Sequence, residues 1–236
     1  MTDTPPPAQD TKSPSQHAGH RQRLRERFVR SKGQDLADYE LIELLLFAAM
    51  PRRDVKPVAK ALIKRFGSFA GVLGADYAEL QKIDGIGEAA AVSLLAVRQA
   101  AVRLLQTDVM HQPVLSNWQS LMDYCRVSMG PCKTEQVRVL YLNRKNVLIA
   151  DELQQEGTVD HTPVYPREVI KRALDLSASA LILVHNHPSG DPTPSQADIE
   201  MTRELQGAGE KLGITLHDHV VVSKSGNTSF KTLGLL

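Results

Sequence analysis

Ala180-Leu181-Ile182-Leu183-Val184-His185-Asn186-His187-Pro188-Ser189-Gly190-Asp191-Pro192-Thr193-Pro194-Ser195-Gln196-Ala197-Asp198 is the stretch whose reading decides the fold. Its first five residues are uninterrupted and apolar, the pattern of a short, fully buried strand. His185 and His187, two apart at the strand end, project to one side if the extended geometry continues, and Pro188 stops further pairing. Pro188, Pro192, Pro194 and Gly190 make a stiff excursion. Ser195 is then placed to cap a helix that carries Asp198 in its first turn. Two imidazoles and a carboxylate can therefore converge on one point. Zinc accepts that donor set and, with three protein ligands, keeps a fourth position open for water.

A second reading competes for two of these residues. Ser195 and Asp198 also fit a capping box, in which the serine accepts from a helix amide and the acid three residues on answers the cap. That accounts for both without a metal, but leaves two histidines at the mouth of a strand unexplained. The strand, rigid loop and helix that present them favour the metal reading.

The chain has 236 residues, enough for one larger domain or two small ones, each with a real core. Apolar content of 42% and charged content of 23% are ordinary for a globular protein. Cys125 and Cys132 show no partner pattern, so neither a disulfide framework nor a thiolate zinc site is indicated. A zinc deaminase would need a P-C-x-x-C pair and a zincin would need H-E-x-x-H, and the sequence has neither. Asp191, between Gly190 and Pro192, reads as a turn acid rather than a fourth ligand. The N-terminus lacks a basic and apolar leader and no run of 18 apolar residues occurs, so the cytoplasm is the expected location and no membrane contact is expected.

The formal net charge of +1 is unevenly spread: residues 20–65 carry twelve Lys and Arg against six acids. Clustered cations attract phosphate whatever the base sequence, so this part permits non-specific DNA contact, although a solvated helical surface has the same look.

In chain order, residues 1–18 read as a disordered tail, rich in Pro, Ser, Thr and Gln. A basic helix is expected over 20–31. A second follows over 39–49, capped by Asp35 or Asp38, with Leu41, Leu44, Leu45 and Ala48 along its face and Ile42, Leu46 and Phe47 widening it. A third spans 55–66, closed by Gly67. Residues 69–83 give short helical turns, interrupted at Asp84-Gly85-Ile86-Gly87, and a long alanine-rich helix begins at Glu88 with Val92, Leu95, Val102 and Leu105 recurring. These form a small all-α module over 19–107, followed by a linker at 108–114 and an α/β domain over 115–236.

In that domain Ser116 is expected to cap a helix to about residue 129. Residues 137–142 and 147–153 read as a hairpin, and 157–161 as a shorter strand. Pro166 opens a helix with Val169, Ile170 and Ala173 buried. After the metal stretch, 214–222 and 228–233 supply closing strands. The sheet must be at least partly antiparallel, because the hairpin connections are too short for crossovers.

A metal-activated water needs a base. Glu135, at the lip of the first strand, is the preferred candidate, with Glu152, Glu156 and Glu168 as rivals that periodicity does not exclude. Ser195 would donate to a developing oxyanion.

Two resemblances bear on these residues. Leu80-x-x-Ile83-x-Gly85-Ile86-Gly87-x-x-x-Ala91 resembles a helix-hairpin-helix at 80–95, which implies contact of the Gly85, Ile86 and Gly87 turn with a DNA backbone. The sequence departs from that pattern by placing Ala90 where a basic residue is usual and Glu88 beside the glycines. From about residue 20 onward the chain resembles the RadC (UPF0758) family, whose C-terminal domain is similar to JAMM/MPN+ metalloproteases. The match is His185-x-His187, seven residues, Ser195, two residues, Asp198, with Glu135 ahead of the first long strand. The resemblance implies that His185, His187 and Asp198 bind one zinc per chain, that Glu135 is the general base, and that Ser195 assists the oxyanion. It also implies hydrolysis of a peptide or isopeptide bond in a protein or peptide-like substrate. The alternative is a DNA-associated repair or processing accessory protein whose zinc domain is silent or not a peptidase. Arg167 matches a family position that would bind substrate or a backbone carbonyl, and His219 one that supports the metal or fills the core.

Overall fold

A computed structural model describes residues 16–156 and 164–236. The tail expected at 1–18 falls outside them in its residues 1–15, and the strand expected at 157–161 falls outside them entirely. The described chain forms two units, divided at Leu95/Ala96.

The first unit is all α. It comprises α1 (Gln16–Ser31), α2 (Asp38–Ala49), α3 (Lys56–Phe66), α4 (Phe69–Leu73), α5 (Tyr77–Gln81) and the start of α6 (Glu88–Val109). Its core joins Leu24, Ile42, Leu46, Leu62, Leu80 and Leu94. Three expectations about side chains change. Asp38 is not the cap of α2 but its first residue, and its Oδ2 accepts from the Phe69 amide at 2.7 Å, tying α2 to the start of α4. The buried face of α2 is Ile42, Leu46 and Phe47, with Leu41, Leu44 and Leu45 half-buried and Ala48 exposed. A helix apolar almost all round, packed against α1, α3 and α4, has no single face that its own pattern can identify. On α6 the stripe is Ala90, Ala91 and Leu94, while Val92 is exposed, because alanines let the helix approach the core closely.

The division falls inside α6, ahead of the expected linker at 108–114. Residues 108–109 complete the helix, and Met110 and Pro113 then form isolated bridges with Leu148 and Val147. The second unit continues with α7 (Trp118–Met129), β1 (Gln136–Leu142), β2 (Leu148–Glu156), α8 (Pro166–Asp175), β3 (Ala180–Asn186), α9 (Gln196–Glu210), β4 (Thr215–Val222), β5 (Asn227–Ser229) and α10 (Phe230–Leu233). Asn117, not Ser116, stands at the N-cap of α7, and the Ser116 hydroxyl instead donates to Pro113 O at 2.9 Å. The strand expected over 228–233 ends after three residues as β5. Ser229 caps α10, and the fully buried Phe230 stacks on His219 with ring centroids 4.2 Å apart.

The sheet order is β2-β1-β3-β4-β5, mixed as expected: among the described strands β3 and β4 run parallel and the other pairs antiparallel. Alternation along the strands gives it two buried faces. Leu140, Ile182, Val184 and Val220 pack with α7, whereas Val139, Leu181 and Leu183 pack with Ile170 of α8 and Leu205 of α9. This three-layer arrangement leaves the carboxyl end of β3 and the amino end of α9 on one side of the sheet. Among the described residues no helix is long and apolar enough to cross a membrane.

Candidate metal centre

His185 belongs by alternation to the face of Leu181 and Leu183, so its imidazole lies on the α9 side of the sheet. Its Nε2 is 2.9 Å from His187 Nε2 and 3.4 Å from Asp198 Oδ1, and His187 Nε2 is 3.5 Å from Asp198 Oδ2. One donor atom from each residue lies within 4.8 Å of the other two. The edge of a tetrahedron built on zinc bonds of about 2.0–2.1 Å is about 3.3 Å, so this spacing fits zinc. Two imidazole nitrogens 2.9 Å apart need either a ring hydrogen or a metal ion between them.

The surroundings fix each member of the donor cluster. His187 Nδ1 lies 2.8 Å from Asp191 O, and a carbonyl only accepts, so Nδ1 carries the hydrogen and Nε2 is left for the site. Asp191 itself holds its own turn: its carboxylate accepts from Thr193 N at 3.0 Å and Thr193 Oγ1 at 2.7 Å, and it is not a member of the donor cluster. His185 Nδ1 lies 2.7 Å from Nε2 of the fully buried His219. His187 is raised above the usual imidazole pKa, chiefly by its hydrogen bond to Asp198, with the charges of Asp198 and Glu135 adding to it. His219 is pushed well below that value, first by burial and then by His185.

The capping reading of Ser195 and Asp198 is realised, and it leaves room for the carboxylate to face the two histidines. The Ser195 hydroxyl accepts from Asp198 N at 3.2 Å and donates to Asp198 Oδ2 at 2.7 Å, while Ser195 N donates to the same Oδ2 at 2.7 Å. The capping box is complete, yet it uses only one carboxylate oxygen. Oδ1 remains turned toward His185. Burial would raise the Asp198 pKa, but the close approach of His185 and His187 and the hydrogen bond from Ser195 outweigh it and hold the carboxyl well below its ordinary range.

Glu135 precedes β1. Val137 pairs with His185 in antiparallel register, so continuing the ladder by two residues sets Glu135 opposite His187. It is near enough for its charge to raise the His187 pKa. Of the rivals, Glu152 is held by Arg172, with Nη2 to Oε1 at 2.6 Å, and Glu168 pairs with Arg167 at 3.0 Å. For Glu156 the backbone partner is Gln136. Arg167 is exposed and pairs with its neighbour Glu168.

Asn186, which the sequence reading passed over, is fully buried between the two histidines. Its side chain turns to the other face of the sheet. Oδ1 accepts from Gln136 N at 2.8 Å, and Nδ2 donates to Thr134 O at 3.1 Å and Cys132 O at 3.4 Å. It thus grips the backbone on both sides of Glu135. The available signal was a polar residue inside an apolar strand, which must find partners when buried.

In the first unit, Gly85 has φ +88° and the Ile86 side chain is buried, so only the backbone of the Gly85-Ile86-Gly87 turn is presented outward. The turn borders a cleft of about 400 Å³ that is also lined by Arg52, Arg53, Ala89 and Ala90.

Comparison with known proteins agrees with these observations. Residues 115–235 match the RadC-like JAB domain and residues 16–92 match the UPF0758 N-terminal domain. A UPF0758 protein of Rhodobacter capsulatus is 59% identical over 213 residues, covering 90% of this chain and 100% of its own length. Another UPF0758 protein, from Ruegeria pomeroyi, is 55% identical over 223 residues, covering 94% of this chain and 100% of its own length. With both of its units matched and its full-length relatives this similar, the chain belongs to the RadC (UPF0758) family.

Proposed function

We propose that the protein is a zinc-dependent hydrolase of peptide or isopeptide bonds, located in the cytoplasm and holding one zinc per chain at His185, His187 and Asp198. The observation that carries this reading is the convergence of two imidazole nitrogens and one carboxylate oxygen, with an acid across from them that is not among the donors. When bound, zinc supplies Lewis acidity toward a substrate carbonyl and makes water acidic near neutral pH. Glu135 takes the proton from the attacking water as the new C–O bond forms and then returns it to the departing amine as the amide C–N bond breaks. Ser195 is exposed, and its hydroxyl turns from Asp198 Oδ2 to the carbonyl oxygen as that atom gains charge. Asp198 Oδ2 meanwhile keeps the Ser195 amide. The test is metal analysis together with hydrolysis of peptide and lysine-isopeptide substrates. Glu135→Gln is expected to keep its zinc and lose hydrolysis, and retained activity in that variant refutes the assigned base.

A second reading, in which the protein is an accessory of DNA processing, is favoured by the cleft beside Gly85 and Gly87. Arg52 and Arg53 line it and supply the positive charge that the hairpin lacks at Ala90. Backbone phosphate would bind there without base readout. The full chain should bind duplex DNA with an affinity that falls steeply with salt, and Arg52→Ala with Arg53→Ala should flatten that slope. Binding that is absent, or unchanged in the double variant, rejects this contact.

A further inference from the structure

His219 and Thr202 stand behind the donor cluster and have no part in the hydrolysis described above. Thr202 lies on α9, one helical turn after Asp198, and is fully buried. Its Oγ1 is 2.5 Å from Asp198 O and 2.6 Å from His219 Nδ1. A contact that short between two oxygens needs a hydrogen between them, and a carbonyl has none to give, so the single hydroxyl hydrogen points to Asp198 O. Toward His219 the hydroxyl can only accept. His219 Nδ1 therefore carries its ring's hydrogen, and Nε2 of the buried neutral ring is an acceptor. The neighbour of that Nε2 is His185 Nδ1, at 2.7 Å, which must donate. His185 Nε2 is then left as a bare lone pair, facing His187 and Asp198.

The fold places this chain of donors by an irregularity. Leu181 pairs with Leu216, but Ile182 pairs with Asp218, so His217 is an extra residue in β4. Strict alternation from Leu216 would turn His219 to the α7 face. The bulge instead sets His219 opposite Leu183, on the face of His185 and α9.

We infer that Thr202 and His219 form a relay of hydrogen bonds that locks His185 in the tautomer that can bind a metal, starting from the backbone carbonyl of the third ligand. This rests on the metal reading of the site and adds two positioning residues to it. In Thr202→Val the acceptor for His219 Nδ1 is gone while the side-chain shape is kept. The ring then favours its other tautomer, and His185 follows, putting a hydrogen on the Nε2 that zinc requires. Partners of ligating histidines typically matter by about ten- to a hundredfold in metal affinity.

The experiment uses the full chain, with zinc affinity read by chelator competition and the histidine tautomers by long-range nitrogen–proton spectra of the zinc-loaded protein. Expected are Nδ1–H on both His219 and His185 in the wild type, a loss of about ten- to a hundredfold in zinc affinity in Thr202→Val, and recovery in Thr202→Ser. Nε2–H on His219 in the wild type overturns the relay without any variant. Wild-type affinity in Thr202→Val, checked by Thr202→Ala, overturns it also. A failed relay leaves zinc bound by the wild type. A wild type that binds no zinc removes the metal reading and the relay together.

Discussion

Asn186→Ala isolates the grip on Glu135. The side chain makes three hydrogen bonds, at 2.8, 3.1 and 3.4 Å, all to the backbone of residues 132–136, and it is fully buried. At about 0.5–1.5 kcal/mol net for each bond, their loss should destabilise the second unit by about 1.5–4.5 kcal/mol. For a domain of this size that lowers Tm by about 2–4 °C per kcal/mol, or roughly 3–18 °C in all. Asn186→Asp keeps an acceptor for Gln136 N but turns a second oxygen toward the carbonyls of Thr134 and Cys132, so it should not restore the loss. Zinc content should stay unchanged in both variants, because the side chain lies on the face of the sheet opposite His185. The assays are thermal unfolding, hydrogen exchange at the Gln136 amide and metal analysis. An unchanged Tm with unchanged exchange at Gln136 refutes the grip, and loss of zinc refutes the separation of the two faces.

His187→Ala should lower bound zinc, and unchanged metal content would reject the ligand assignment. In the wild type, zinc affinity should fall as pH drops through the raised pKa of His187, by up to tenfold per pH unit for each proton displaced; a flat profile between about pH 8 and 5 counts against it. The sign reverses for the metal-free protein: a raised pKa stabilises fully below the unfolded value of about 6.5, and that contribution is lost as pH rises through the folded value. In the first unit, Gly85→Ala should destabilise by about 1–3 kcal/mol, since φ is +88° and a Cβ would stand 3.0 Å from Val58 Cγ2. Gly67→Ala, with φ +85° and no atom within 4 Å of a Cβ, carries the backbone strain alone and should cost less in denaturant unfolding. Equal losses in the two variants would mean that the Val58 contact adds nothing.

What the sequence made legible was local. The aliphatic run before His185, the hairpin of β1 and β2, and the proline start of α8 each show their period or punctuation within ten residues. The convergence of His185, His187 and Asp198 followed because one strand, one stiff loop and one helix turn carry all three. Other features depend on partners distant in the chain. The extra residue at His217 becomes visible only when β4 is laid against β3, so the face of His219 could not be read from alternation. The inward side of α2 is chosen by the helices around it, not by a pattern that is apolar almost throughout. The chain after Asn227 looked like a longer strand because the demand of Phe230 for burial against His219 is a tertiary fact.

The rivalry between cap and ligand at Asp198 dissolves once its two oxygens are treated separately. A carboxylate has about four lone-pair directions, and an N-cap interaction uses those of one oxygen. Ser195 N and Oγ both address Oδ2, which fixes the plane of the group and leaves Oδ1 aimed at His185. The cap therefore orients the candidate ligand instead of competing with that role. Thr202 extends the same economy one turn further along α9, since the hydroxyl that bonds the Asp198 carbonyl also accepts from His219. The first two turns of one helix thus orient Asp198 directly and His185 through a second strand. His187 is fixed separately by the carbonyl of Asp191 in the proline-rich loop. Each of the three donors is thus tied to backbone, Asp198 by the Ser195 amide, His187 by the Asp191 carbonyl and His185 through Thr202 and His219 by the Asp198 carbonyl, and the spacing of the cluster follows from those ties.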